Sequence, residues 1–189
     1  GMPITEEVEI KIPAFRVVPV FDVSQTDGKE LPDIGVNELS GSVEDYEDFM
    51  QALTEVSPVP ITYEDIEGEA KGYFHTTDHR IAIQEGMSQS QTVKTAIHEV
   101  AHAKLHDREQ NQDIDAVLDK DRNSKEVEAE SVAYTVCQHF GIDTSDYSFG
   151  YIAGWSSDRD MKELKSSLDI IRKTASELIT GIEDRLAEL

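Results

Sequence analysis

The run His98-Glu99-Val100-Ala101-His102 sets two imidazoles four positions apart, with a carboxylate directly after the first. The spacing of Val93, Ile97, Val100, Ala101 and Leu105 independently predicts a helix reaching to about His106. Residues four apart lie about 40° apart around a helix, so both imidazoles face the same way. Zn²⁺ takes convergent nitrogen ligands at about 2.0–2.1 Å, and this spacing supplies two of them. Glu99 lies beside the first imidazole, where its carboxylate can accept a proton from water in the same site. The chemistry open to such a group is metal-assisted hydrolysis.

A catalytic zinc site needs a third protein ligand and an open position. The metzincin spacing would put Gly at 105 and His at 108, but the chain has Leu105 and Arg108. His106 follows His102 by four, yet it drifts about 80° from His98 around the helix. It is expected to cap the helix or pack on the surface. The third ligand is expected from Glu126-Val127-Glu128-Ala129-Glu130 on a following helix. Glu126 and Glu130 share a face of that helix, and Glu128 points away. One of the pair can bind the metal while the other orients a ligating histidine from behind. Ala129 is small enough to let the two helices approach. Hydrolysis of a peptide also needs a donor for the developing oxyanion. Tyr134, Tyr147, Tyr151, His75 and His79 are the candidates, each with ordinary packing as the plainer reading. Cys137, between Val136 and Phe140, reads as a small buried hydrophobe. His139 reads as a cation complementing a helix C-terminus.

These residues need a scaffold. Ser42 is expected to start a helix, with Val43, Tyr46, Phe49, Met50 and Leu53 at helical spacing, ended by Ser57-Pro58-Val59-Pro60. Ile61–Tyr63, Ala70–His75 and Arg80–Ile83 read as short strands. Ser88 or Ser90 caps the histidine helix. Ile114 to Leu118 reads as a short helix. Ser124 caps the glutamate helix, which Gly141 stops. Asp143 to Trp155 reads as a structured loop with a short helix. From Ser157 a long helix carries the stripe Met161, Leu164, Leu168, Ile171, Ala175, Leu178, Ile182 and Leu186. The fold class is α+β with a small, mainly antiparallel sheet. A peptide substrate is expected to add as a strand at a sheet edge, at Arg80–Ile83. Residues 1–39, with Pro3, Pro13, Pro19 and Pro32, read as an extended arm, and residues 40–189 as the domain.

The chain has 189 residues, 38% hydrophobic and 30% charged, which suits a globular domain with a real core. Its 39 acidic residues against 17 basic give a net charge of −22, which disfavours nucleic-acid binding and anionic membranes. No apolar run approaches the roughly 20 residues of a membrane-spanning helix. The start has no basic region followed by an apolar stretch, so no signal peptide is expected. Gly1 before Met2 reads as a residue left by tag removal. The single cysteine, Cys137, excludes an internal disulfide framework and fits a reducing cytoplasm.

Val93 to His102, Glu126 to Tyr134, and Asp143 to Trp155 together resemble the metallopeptidase domain of ArdC-like and LtrC-like proteins of conjugative and integrative mobile elements. The resemblance continues through Ser166 to Arg172 and covers roughly residues 40–185. Upstream, Val20 to Gly28 resembles the end of that family's N-terminal domain, which is associated with single-stranded DNA. This implies a fragment of a longer protein, with residues 1–39 the tail of that upstream domain. More distantly the pattern resembles the ImmA/IrrE zincin-like peptidases. The resemblance implies a zincin-like fold, a Zn²⁺ cofactor held by His98, His102 and Glu126, and Glu99 as the catalytic base. It makes Glu130 the partner behind a ligand, although Glu130 replaces the Asp of some relatives and the two glutamates could exchange roles. The expected function is zinc-dependent peptide hydrolysis on a protein or peptide substrate, in an antirestriction-type mobile-element protein. The competing expectation is a module that grips a host protein without cleaving it.

Overall fold

The computed structural model describes residue 39 and residues 41–107, 120–144 and 161–189, with side chains from 165 onward in the last stretch. The expected arm, the short helix at 114–118, Tyr147, Tyr151 and most of the loop after Asp143 lie outside the described residues. The element order is α1 (Tyr46–Val56), β1 (Ile61–Glu64), β2 (Gly72–His75), β3 (Arg80–Gln84), α2 (Gln89–His106), α3 (Arg122–His139) and α4 (Met161–Leu186). The class is α+β, as expected.

The sheet is mixed. Its order is β1-β3-β2, with β3 parallel to β1 and antiparallel to β2. Ile81 pairs with Ile61 on one side and Phe74 on the other. Arg80–Ile83 is therefore the central strand, not a free edge, and the expected docking place for a substrate strand is overturned. Ile81, Ala82 and Ile83 are all fully buried, so both faces of β3 are covered. Three consecutive apolar residues are the mark of such a strand.

α2 forms the centre of the molecule. It packs against α3, β2, β3, α1 and α4. Nearly every residue from Ser90 to Ala103 is buried, polar ones included. Ser88 caps it by accepting from the Gln91 N–H at 3.2 Å. The chain before α1 is tied to this same end. Gln89 Oε1 accepts from the Val43 N–H at 2.9 Å, and Gly41 O accepts from the Ser90 N–H at 3.2 Å. α1 consequently starts beyond the expected Ser42, after Asp45 in a left-handed conformation at φ 49°.

α3 starts three residues earlier than the sequence suggests, with its cap at 121 instead of 124. Asp121 is its cap and accepts from the Ser124 N–H at 2.9 Å and hydroxyl at 3.0 Å. It ends as expected at Gly141, whose φ of +72° suits glycine. The Ile142 N–H donates to Cys137 O at 2.8 Å and the Gly141 N–H to Gln138 O at 3.2 Å, closing the last turn. Ala96 and Ala103 on α2 and Ala129 and Ala133 on α3 are fully buried in one core cluster, so the two helices approach closely. α4 closes the core with Ile171, Ala175, Leu178 and Ile182. Each fully buried Leu or Ile contributes about 1.5–3 kcal/mol. Leu168 breaks the expected stripe: it is 53% exposed, and Ser167 is buried instead.

Candidate metal centre

α2 and α3 bring three ligand atoms to one point. His98 Nε2 and His102 Nε2 are 3.1 Å apart, and Glu126 Oε2 is 3.5 Å from each. A tetrahedral ion with arms of about 2.0–2.1 Å separates its ligands by about 3.3 Å. The triangle therefore fits a metal ion, with a fourth position left for solvent or substrate. The three side chains are partly buried, at the base of an open cleft of about 570 Å³ between β2, α2 and α3. Contact with His102 and His98 holds the Glu126 carboxyl far below the usual carboxylate range.

Glu130, one turn further along α3, stands behind His98. Its Oε2 lies 3.2 Å from His98 Nδ1 and accepts from Lys94 Nζ at 2.7 Å. The His98 contact is off the line of an ideal hydrogen bond, and Nδ1 has no other partner among the described residues. Burial disfavours a charge on Glu130, yet His98 and Lys94 hold its carboxyl at about 2. Burial likewise opposes protonation of His98, but Glu126 and Glu130 outweigh it and lift the imidazole to about 9. Glu99 is 7% exposed and lines the same cleft. Burial pushes its carboxyl up, against the pull of His98 and His102, with the Phe74 backbone of β2 facing it.

Other expectations fare differently. His106 is not on the surface: its side chain is 6% exposed, and its Nε2 is 3.1 Å from Glu128 Oε2. Burial pushes this imidazole below its ordinary value. Glu128 does point away from Glu126 and Glu130, but into the protein, where it is fully buried. It accepts from Lys120 Nζ at 2.7 Å and from the Ser167 hydroxyl at 2.7 Å. Glu128 and Lys94 carry no site reading in the sequence, and the angle around the helix sets His106 aside as a ligand. Of the oxyanion candidates, His75 pairs with Asp78 at 3.3 Å and His79 with Asp107 at 3.2 Å. Neither they nor Tyr134 line the cleft. Cys137 is fully buried, as expected. His139 is in the last turn of α3, with Nε2 2.8 Å from Glu183 Oε1.

Residues 54–143 match the model of the IrrE N-terminal-like domain, a peptidase family, in line with the kinship the sequence suggested. An uncharacterized protein of Bacillus anthracis is 38% identical over 103 residues, 54% of this chain and 16% of that one. Two solved structures are similar, the metal-free and Mn(II)-bound crystal structures of the antirestriction ArdC protein from the R388 plasmid. They are 23% and 22% identical and cover 89% and 85% of this chain, with TM-scores of 0.46 and 0.43. The chain spans 58% and 57% of those two chains, and a far smaller share of the Bacillus anthracis relative.

Proposed function

We propose that this domain is a zinc-dependent metallopeptidase. The ligand triangle of 3.1, 3.5 and 3.5 Å beside a buried Glu99 carries the reading. His98, His102 and Glu126 are the ligands, and Glu130 orients His98. A bound Zn²⁺ supplies Lewis acidity and lowers the pKa of water toward about 7. Glu99 accepts the proton of the attacking water and returns it to the leaving amine, a role typically worth 10²–10⁴-fold.

The substrate is a protein or peptide lying along β2. Gly72, Tyr73 and Phe74 line the metal cleft, and β2 has no strand partner on its outer side among the described residues. An extended peptide can take that edge and hydrogen-bond to its backbone. The sequence resemblance supports placing the domain in an antirestriction-type protein of a mobile element, acting on a host protein. The net charge of −22 supports a protein target over nucleic acid for this part of the chain. Glu99→Gln keeps size and ligands, so Zn²⁺ should stay bound while cleavage falls by at least about 100-fold. Undiminished biological effect in that variant, with zinc retained, would replace the peptidase by a module that grips without cutting.

A further inference from the structure

His106 and Glu128 are two ionisable side chains that hydrolysis does not require, yet both are buried. Water-loving groups are left inside only when every polar atom is satisfied. Here they form a ladder. His102 Nδ1 is 3.0 Å from His106 Nδ1, and His106 Nε2 is 3.1 Å from Glu128 Oε2. Lys120 Nζ lies 2.7 and 2.8 Å from the two oxygens of Glu128, and the Ser167 hydroxyl of α4 donates to Oε1 at 2.7 Å.

The chemistry of these atoms fixes the direction of the ladder. A carboxylate flanked by an ammonium group and a donating hydroxyl can only accept. His106 must then present N–H at Nε2, and, carrying one ring proton as a neutral imidazole, it keeps Nδ1 as an acceptor. That Nδ1 can bond His102 Nδ1 only if His102 carries its proton there. The consequence is a lone pair at His102 Nε2, the atom that faces His98 and Glu126. His98 is served differently, with Glu130 directly behind it. The two imidazoles are thus backed by carboxylates at different ranges, one at once and one through an intervening ring that reaches the C-terminal helix.

We infer that His106 and Glu128 form a positioning chain that fixes the tautomer and orientation of His102, anchoring this ligand to α4 through Ser167. The inference rests on the metal reading of the site. Groups behind a ligand typically change metal affinity 10–100-fold.

The test uses the 189-residue chain and two variants. His106→Phe keeps a ring and removes both polar atoms. His106→Asn retains an acceptor for His102 but cannot reach Glu128 in the same way. Zn²⁺ affinity is measured by competition with a chromophoric chelator. In the Co²⁺-loaded protein, the exchangeable Nδ1 proton of His102 is followed by paramagnetically shifted NMR. Affinity should fall in the order wild type, His106→Asn, His106→Phe, the last by about 10–100-fold. Exchange of the His102 proton with water should quicken in the same order, while the His98 proton keeps its wild-type rate. If His106→Phe does not fold, His106→Asn decides alone. A variant that matches wild type in both readouts overturns the chain. So does equal disturbance of the His98 and His102 protons, which a packing role alone would give. A wild-type chain that binds no Zn²⁺ removes the metal reading and the inference with it.

Discussion

Glu126 and Glu130 share a face of α3 but meet different nitrogens of His98, Nε2 and Nδ1. Replacing Glu126 by Gln should remove most Zn²⁺ affinity, whereas Glu130→Gln should cost about 10–100-fold. A titration with Glu130→Gln the weaker binder would exchange the two roles. Lys94 is the other half of the Glu130 arrangement, and both side chains are almost fully buried. Lys94→Met leaves a carboxylate in the interior with its main cation gone. Urea unfolding of the metal-free chain should show a loss of about 3–5 kcal/mol. A loss under 1 kcal/mol would mean that Glu130 is neutral there. At this scale the sequence is legible where a pattern is local. His98, Glu99 and His102 are read from one helical turn. Lys94, His106 and Glu128 are not, because their partners come from other helices, and nothing in one helix's spacing reveals whether its polar side faces solvent or a neighbour.

β2 is held against α2 at Gly72. A methyl group there would lie 2.7 Å from Thr95 Cγ2 and 2.9 Å from Ala82 O. Gly72→Ala should therefore destabilise the chain by about 1–3 kcal/mol. Thr95→Ala in the same background should recover part of this, and thermal melting of the double variant is the check. No recovery would place the strain against the Ala82 backbone alone. The strand also carries the edge proposed for substrate, so Gly72→Ala should impair turnover even where it folds. Among the described residues the elements themselves were largely legible: three strands and four helices appear close to their expected positions. Their order in the sheet was not. Arg80–Ile83 follows a turn, like any hairpin strand, but β1 closes on its other side and makes it central. Local alternation cannot show that pairing between distant segments. Helix starts shifted for a similar reason. Ser42 offers a cap, but the chain around it is tied to Gln89 and Ser90.

Over the whole molecule, Cys137 reports on the core. It is fully buried, and burial pushes its thiol from 9.0 to about 12. The raised value favours the neutral thiol in the folded chain. The resulting stabilisation is complete below about pH 9 and is lost as the pH rises from there toward 12. A thiol reagent at pH 8 should label the native protein no faster than the protein unfolds, and urea should expose the full reactivity. Rapid native labelling would mean that α3 opens locally. Among the described residues no helix is long and apolar enough to cross a membrane. The burial of α2 on nearly every side has one more consequence. Its grip on the sheet and the other helices comes from Val93, Ala96, Ile97 and Val100, not from the two imidazoles. Chelation should therefore strip the ion without melting the protein, unlike a zinc finger, whose fold is its metal. On the proposed metal reading, loading would then be a reversible event on a finished scaffold, in which zinc supply sets activity and adds only its own binding free energy to a fold that already stands.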